Sequence, residues 1–280
     1  MFDRKFIGCG LIIIFVLSAF YLTANFLQAV ESREDKIKEG LKVPLKFTIL
    51  YDNYVYLEGT KADWGFSCLI EGTENTILFD TGTQTDILLH NIDQLNVDIK
   101  KVKKIVISHN HGDHTGGLPA ILDLNSNVSV YLPVSFPDEF VRNVKNKQAQ
   151  VVSVDEPVEI CQNVFSTGEM GDRIKEQSLI INHHKGLIIV TGCSHQGIVN
   201  ILKHARKLFN RPIHMVFGGF HLGGIPDEVL NEIIQSFLEI GVEKCGATHC
   251  TGDRAIALFK KAFGENFLEM GTGKILEISE

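Results

Sequence analysis

From residue 44 onward, short apolar runs alternate with stretches whose apolar residues recur every three to four positions. The runs at 47–51, 66–71, 77–80, 104–108, 128–132, 151–154, 178–182, 187–191 and 213–217 have the length and β-branched content of strands. A short strand is expected to end near Ala247, and two closing strands are expected at 266–270 and 274–278. Between them, the segments 86–95, 117–124, 137–144, 197–209, 226–240 and 253–263 have helical spacing. Pro226 followed by Asp227 and Glu228 reads as a helix start, because proline lacks a donor that would go unused there and acidic groups face the positive end of the helix dipole. No Pro- or Ser-rich linker divides the series. The pattern therefore predicts an α/β domain in four layers, with two packed sheets inside and helices outside.

The pattern breaks at the N-terminus. Residues 6–30 carry no charge and are rich in Leu, Ile and Phe, with Arg4 and Lys5 before them and a charged stretch over 31–43 after them. Such a run is long enough to span a bilayer, and it lacks the short apolar core and small-residue cleavage site of a signal peptide. The expected organisation is thus a transmembrane anchor over 1–30, a linker over 31–43 and a catalytic domain over 44–280. Arg4 and Lys5 nearly balance Arg33, Lys36 and Lys38 across the run. With the short end inside, as is usual for a first segment, the body is expected on the extracytoplasmic side of a membrane.

Composition adds constraints. The 27 basic and 34 acidic residues are dispersed and leave a net charge of −7, which suits a soluble body and argues against nucleic acid as a partner. Six cysteines show neither a CxxC pair nor a dense framework. Cys193 and Cys250 each lie close to a candidate metal-binding histidine, where a supporting or buried role is expected rather than a disulfide.

The chemistry concentrates directly after the apolar run at 104–108, where His109, His111, Asp113 and His114 form an H-x-H-x-D-H cluster. In extended backbone His109 and His111 project to one side, and a turn at Gly112 brings Asp113 and His114 round to the same space. Imidazole nitrogen and carboxylate oxygen are donors that zinc accepts while a coordination position stays open. Four such donors exceed the need of one catalytic ion, so more are expected at other strand ends. His195 in Thr-Gly-Cys-Ser-His, His221 in Gly-Gly-Phe-His and His249 in Thr-His-Cys-Thr-Gly each follow an apolar run.

The order of Asp80 in Leu-Phe-Asp-Thr-Gly, the His109–His114 cluster, His195 and His249 resembles the metallo-β-lactamase fold superfamily over roughly residues 45–278. The phrases around His195, His221 and His249 are similar to its dihydropterin-ribofuranosyl-aminobenzene-phosphate synthase-like subgroup. The resemblance implies an αββα sandwich with the metal site at one edge. It assigns His109, His111 and His195 to one metal, Asp113, His114 and His249 to a second, and Asp80 to orienting the cluster. The superfamily's usual bridging aspartate has no obvious match here. His221 stands where it would be expected, and a single imidazole is a terminal ligand.

The expected function is metal-dependent hydrolysis of an ester, phosphoester or related small molecule, anionic substrates included, by a metal-bound hydroxide. Asp113 and His114 are the expected catalytic residues. The divalent metal is expected to be zinc, as one or two ions, with manganese or iron as alternatives. Two other classes remain open: a membrane-held metal or ligand sensor without turnover, and a di-iron redox protein. The latter usually has a glutamate in place of His111 and a fused flavin module, and neither is found here.

Other residues read more plainly. His183 and His184 are expected in a solvated hairpin, and His90, His204 and His214 as surface or core residues. Gly116, Gly117 and Gly197, together with Asp253 and Arg254, could contact an anion. Core packing is the expected role of Trp64.

Overall fold

Continuous apolar runs bury both faces of a strand, so they need a packed layer on each side. The computed structural model describes residues 39–279 and meets that need with two sheets placed face to face. In chain order the strands are β1 (Leu45–Tyr51), β2 (Ser67–Glu71), β3 (Thr76–Phe79), β4 (Val102–Val106), β5 (Ser129–Pro133) and β6 (Gln150–Val154), followed by β7 (Val158–Cys161), β8 (Val164–Ser166), β9 (Leu179–His183), β10 (Gly186–Thr191), β11 (Ile213–Gly219), β12 (Lys244–Thr248) and β13 (Ile275–Ile278). Among the described residues, one sheet has the order β13-β1-β2-β3-β4-β5-β6 and the other β12-β11-β10-β9-β8-β7.

Period-two alternation sorts the side chains between layers. Phe47 and Ile49 of β1, Val106 of β4, Ile188 and Val190 of β10 and Met215 and Phe217 of β11 fill the space between the sheets. The rings of Phe47 and Phe217 meet there edge to face, with centroids 5.3 Å apart. Leu187 and Ile189 of β10 point the other way, onto the apolar faces of helices at Ile198–Phe209, Asp227–Ile240 and Asp253–Phe263. Ile105 of β4 likewise packs on the helices Thr85–Gln94, Leu118–Leu124 and Asp138–Asn146. Each fully buried Leu, Ile or Phe contributes about 1.5–3 kcal/mol relative to an exposed position.

The strands β3, β4, β5 and β6 run parallel, as do β10, β11 and β12. Because β1 is antiparallel to β2, and β2 to β3, β1 points the same way as β3. The carboxyl ends of β1, β3 and β4 therefore share one edge of their sheet, and those of β10, β11 and β12 share one edge of theirs. Loops leaving those edges carry the candidate chemistry.

The αββα architecture agrees with the sequence pattern, but the transmembrane part of the expected fold is corrected. The run at 6–30 lies outside the described residues, and among the described residues no helix is long and apolar enough to cross a membrane. The 14-residue helix Asp227–Ile240 falls short of the roughly 20 residues that hydrocarbon thickness requires. The expected membrane-anchored, extracytoplasmic localisation loses its support with it.

Two smaller expectations also change. The segment 266–270 forms no ladder beyond a single bridge from Phe267 to Cys245, after a 3-10 turn at Gly264–Asn266. His183 is buried at the end of β9, with its ring nitrogen 3.3 Å from the Val43 carbonyl oxygen, rather than solvated in the hairpin.

Candidate metal centre

The seven candidate ligands and Asp80 lie at the shared edge, on loops and on the short helical turns Gly112–Thr115 and His249–Thr251. Left-handed backbone puts several of them in place. Asp80 (φ 55°), His221 (φ 53°) and His249 (φ 52°) occupy a region that non-glycine residues rarely adopt, as does Ser194 (φ 67°) between Cys193 and His195. Such conformations cost on the order of 1–3 kcal/mol each and persist where surrounding contacts enforce them.

Those contacts are visible. The Asp80 carboxylate is fully buried and accepts from the Ser108 backbone N–H at 2.7 Å and from the Ser108 hydroxyl at 2.7 Å. Its Oδ2 is also 2.7 Å from His114 Nδ1. With its proton given to Asp80, the Ser108 oxygen is free to accept from His109 Nδ1 at 2.9 Å. One carboxylate thus sets the tautomer of two imidazoles, turning the lone pair of each Nε2 toward the same space. His249 Nδ1 finds its acceptor 2.9 Å away in Asn53 Oδ1, with the same result. A Cβ at Gly192 would stand 2.2 Å from Ser108 Oγ, and one at Gly219 would stand 2.3 Å from the Gly192 carbonyl oxygen, so both positions exclude side chains.

The donor atoms converge. His109 Nε2 lies 3.0 Å from His111 Nδ1 and 3.2 Å from His195 Nε2. Asp113 Oδ2 lies 3.4 Å from both His114 Nε2 and His249 Nε2. Ligand atoms held by one cation at zinc-like bond lengths in a tetrahedral array are roughly 3.3–3.7 Å apart, so the separations around Asp113 fall inside that range and those around His109 are a few tenths of an ångström tighter. Among the described residues the compact donor groups are Asp113, His114, Cys193 and His249; His109, Cys193 and His195; and Cys193, His221 and Cys250. The residues present therefore fit one or two divalent cations.

Charge supports the same reading. Burial, followed by the neighbouring imidazoles of His114, His195 and His111, holds the His109 pKa well below the ordinary range. Burial and the nearby His221 bring His195 down to about 4. Both are neutral bases near neutral pH, as metal binding requires. Burial opposes ionisation of Asp113, but its contacts to His114 and His249 outweigh burial and keep the carboxylate well below its usual range. For His114 burial is again outweighed, here by Asp80 and Asp113, and its pKa rises to about 10, so its Nε2 would give up a proton when a cation binds there.

Three supports carry weaker sequence signals. Glu176, fully buried, accepts backbone N–H groups from Cys193, Ser194 and His195 at 2.8–2.9 Å, which fixes the Cys-Ser-His loop. Asp52 accepts from the Thr248 hydroxyl at 2.8 Å and braces the corner before His249; burial raises its pKa to about 7. Asn53 is not singled out by the sequence pattern. A polar residue directly after a strand was the available signal for Asp52 alone.

Trp64 differs from expectation. It is 56% exposed, stands over the His249 ring with centroids 5.2 Å apart, and donates from Nε1 to Asp113 Oδ2 at 2.9 Å. His221 is exposed and its ring lies tilted against His195 with centroids 4.2 Å apart, beside Cys250 rather than in the first two donor groups. Arg254 turns away to pair with Asp227, and Asp253 accepts from the Tyr54 hydroxyl at 2.7 Å. Gly116 and Gly117 pack against the backbone of Thr83 and Thr81, a steric role. His90, His204 and His214 bond to Gly59, Thr167 and Glu243 away from the centre. Beside the donors opens a cleft of about 690 Å³ whose walls include Arg173, His195, Gln196 and His221.

Comparison with known proteins agrees with this architecture. Residues 65–192 match the model of the metallo-beta-lactamase superfamily. A 7,8-dihydropterin-6-methyl-4-(beta-D-ribofuranosyl)-aminobenzene-5′-phosphate synthase from Methanocaldococcus jannaschii is 32% identical over 82% of this chain and 95% of its own length. The chain belongs to the metallo-beta-lactamase superfamily. A solved metal-dependent hydrolase of this superfamily superposes with a TM-score of 0.69 at 30% identity, over 84% of this chain and 100% of that one. The short form of human tRNase Z, at 16% identity and a TM-score of 0.56 over 82% of this chain and 98% of its own, shares the fold. Like these relatives, this superfamily member is an enzyme, and the superfamily consists mostly of metal-dependent hydrolases.

Proposed function

We propose that this enzyme hydrolyses an ester or phosphoester bond in a small molecule that carries an anionic group, with zinc as its metal. One observation carries the reading: imidazole and carboxylate donors from separate strand ends converge at separations of 3.0–3.4 Å, with the rings of His109, His114 and His249 oriented by Ser108, Asp80 and Asn53. His109, His111 and His195 would hold one ion, and Asp113, His114 and His249 a second. When bound, the metal lowers the pKa of water towards about 7 and polarises the carbonyl or phosphoryl oxygen under attack.

The chain's own residues supply the rest. Asp113 accepts hydrogen bonds and, steadied by Trp64 Nε1, orients the attacking water. Arg173 on the cleft wall is placed to pair with an anionic part of the substrate. His221, exposed beside that cleft, is placed to give a proton to the leaving group from an imidazole nitrogen; its pKa is raised by hydrogen bonding to Cys250. The archaeal relative is named for making a ribofuranosyl-aminobenzene 5′-phosphate compound, and a phosphate-bearing substrate for this chain suits the Arg173 wall.

The test is a screen of phosphodiesters, phosphomonoesters, lactones and thioesters before and after chelation. Turnover that disappears with the metal and returns with zinc is expected. Unchanged turnover after complete metal removal would refute the reading.

A further inference from the structure

Among the described residues, the compact donor groups at this edge have one atom in common. The sulfur of Cys193 belongs to the group with Asp113, His114 and His249, to the group with His109 and His195, and to the group with His221 and Cys250. It stands 3.2 Å from His114 Nε2 and 3.4 Å from His249 Nε2, both nitrogens whose partner Nδ1 is already engaged elsewhere. The placement is rigid. Cys193 is 3% exposed, its backbone N–H is bound to buried Glu176, and the preceding Gly192 is wedged against Ser108.

We infer that Cys193, as a thiolate, bridges the two ions of the centre. The inference rests on the metal-dependent reading above. On binding, the thiol proton passes to solvent, and two of the lone pairs then on Sγ form one bond to each ion. A bridge must reach both donor groups, and the carboxylate of Asp113 falls in just one of them. His221 cannot substitute, because its group contains neither His109 nor His114. Sulfur also selects among metals: thiolate favours zinc or iron over manganese or magnesium. Cys250 is the natural control. Its Sγ donates to the Cys193 carbonyl oxygen at 3.6 Å and belongs to the His221 group alone.

Cobalt substitution tests the bridge directly, since thiolate bonded to cobalt adds a near-ultraviolet charge-transfer band to the visible d–d bands that imidazole and carboxylate donors produce. The full chain is expected to take up two cobalt ions and to show both sets of bands. Cys193→Ser should lose the charge-transfer band and one of the two ions. Cys193→Asp should recover the second ion without the band, and Cys250→Ser should keep both. A band that survives Cys193→Ser, or that vanishes in Cys250→Ser, overturns the assignment. So does a single bound ion showing the band in the unaltered protein. Because that protein is itself diagnostic, poor folding of a variant does not spare the proposal. Visible bands without the charge-transfer band would overturn the bridge and leave the hydrolase reading standing; a folded protein that takes up no cobalt overturns both.

Discussion

The two metal positions proposed at this edge are held with different stiffness. The one formed by Asp113, His114, Cys193 and His249 is largely buried, and its imidazoles lean on Asp80 and Asn53. In the group of His109, His111 and His195, His109 is buried and tied through Ser108, while His111 and His195 are half-buried and His195 lines the cleft. The contrast suggests a division of labour. A closed group keeps its geometry whatever the substrate does, and an open one can accommodate a substrate entering beside it. Both lean ultimately on Asp80, so the division is not complete.

The largest effect should come from metal removal. Dialysis against a chelator is expected to reduce hydrolysis to background in two phases, with the ion of the open group leaving first; release in one phase would break the comparison. Next is Asp80→Asn, which weakens the acceptor for His114 Nδ1 and for Ser108. Metal affinity or activity should fall roughly 10–100-fold, read by competition with a chromogenic chelator. Equal loss from both groups would show that Asp80 governs the whole centre.

A smaller change is expected for Trp64→Phe, which removes the hydrogen bond to Asp113 Oδ2 on the closed side. A net hydrogen bond of about 0.5–1.5 kcal/mol corresponds to roughly a two- to tenfold fall in kcat/KM, with bound metal unchanged. The smallest effect concerns the scaffold rather than the centre. Burial, then His184, lowers the His183 pKa from 6.5 to about 4. The unfolded chain therefore binds this proton more readily than the folded one. The stability linked to neutral His183 is fully present above pH 6.5 and is lost as pH falls through about 4. Denaturant unfolding across that window, compared with His183→Gln, separates acid weakening of the scaffold from acid loss of metal.

Residues inside one short window were legible from the sequence. His109, His111, Asp113 and His114 lie within six positions after a strong apolar run, so composition and strand geometry point to their convergence. Cys193 was noticed for its closeness to His195 but read as a buried neighbour, since nothing in a linear spacing shows which sulfur stands between two donor groups. Glu176 lies 17 positions before Cys193 with a complete hairpin between them, and Asn53 lies 196 positions before His249. Strands β7 and β8 were missed for a different reason: at four and three residues, with polar positions among them, they give hardly any period to detect. At 266–270 a strand-like composition lacked a partner along most of its length, and strand propensity without pairing yields no strand.

Sequence by itself determined the layered α/β order, because hydrophobic periodicity is a local property that burial reads directly. It also determined the presence of a metal-binding type of cluster, because imidazole and carboxylate groups concentrated at a strand end have few other uses. Tertiary structure alone decided which nitrogen of each imidazole faces the centre, where Trp64 lies, and that Cys193 is common to the donor groups. Those features depend on distances of about 3 Å between segments far apart in the chain, and on left-handed backbone at Asp80, Ser194, His221 and His249 that only the surrounding contacts enforce.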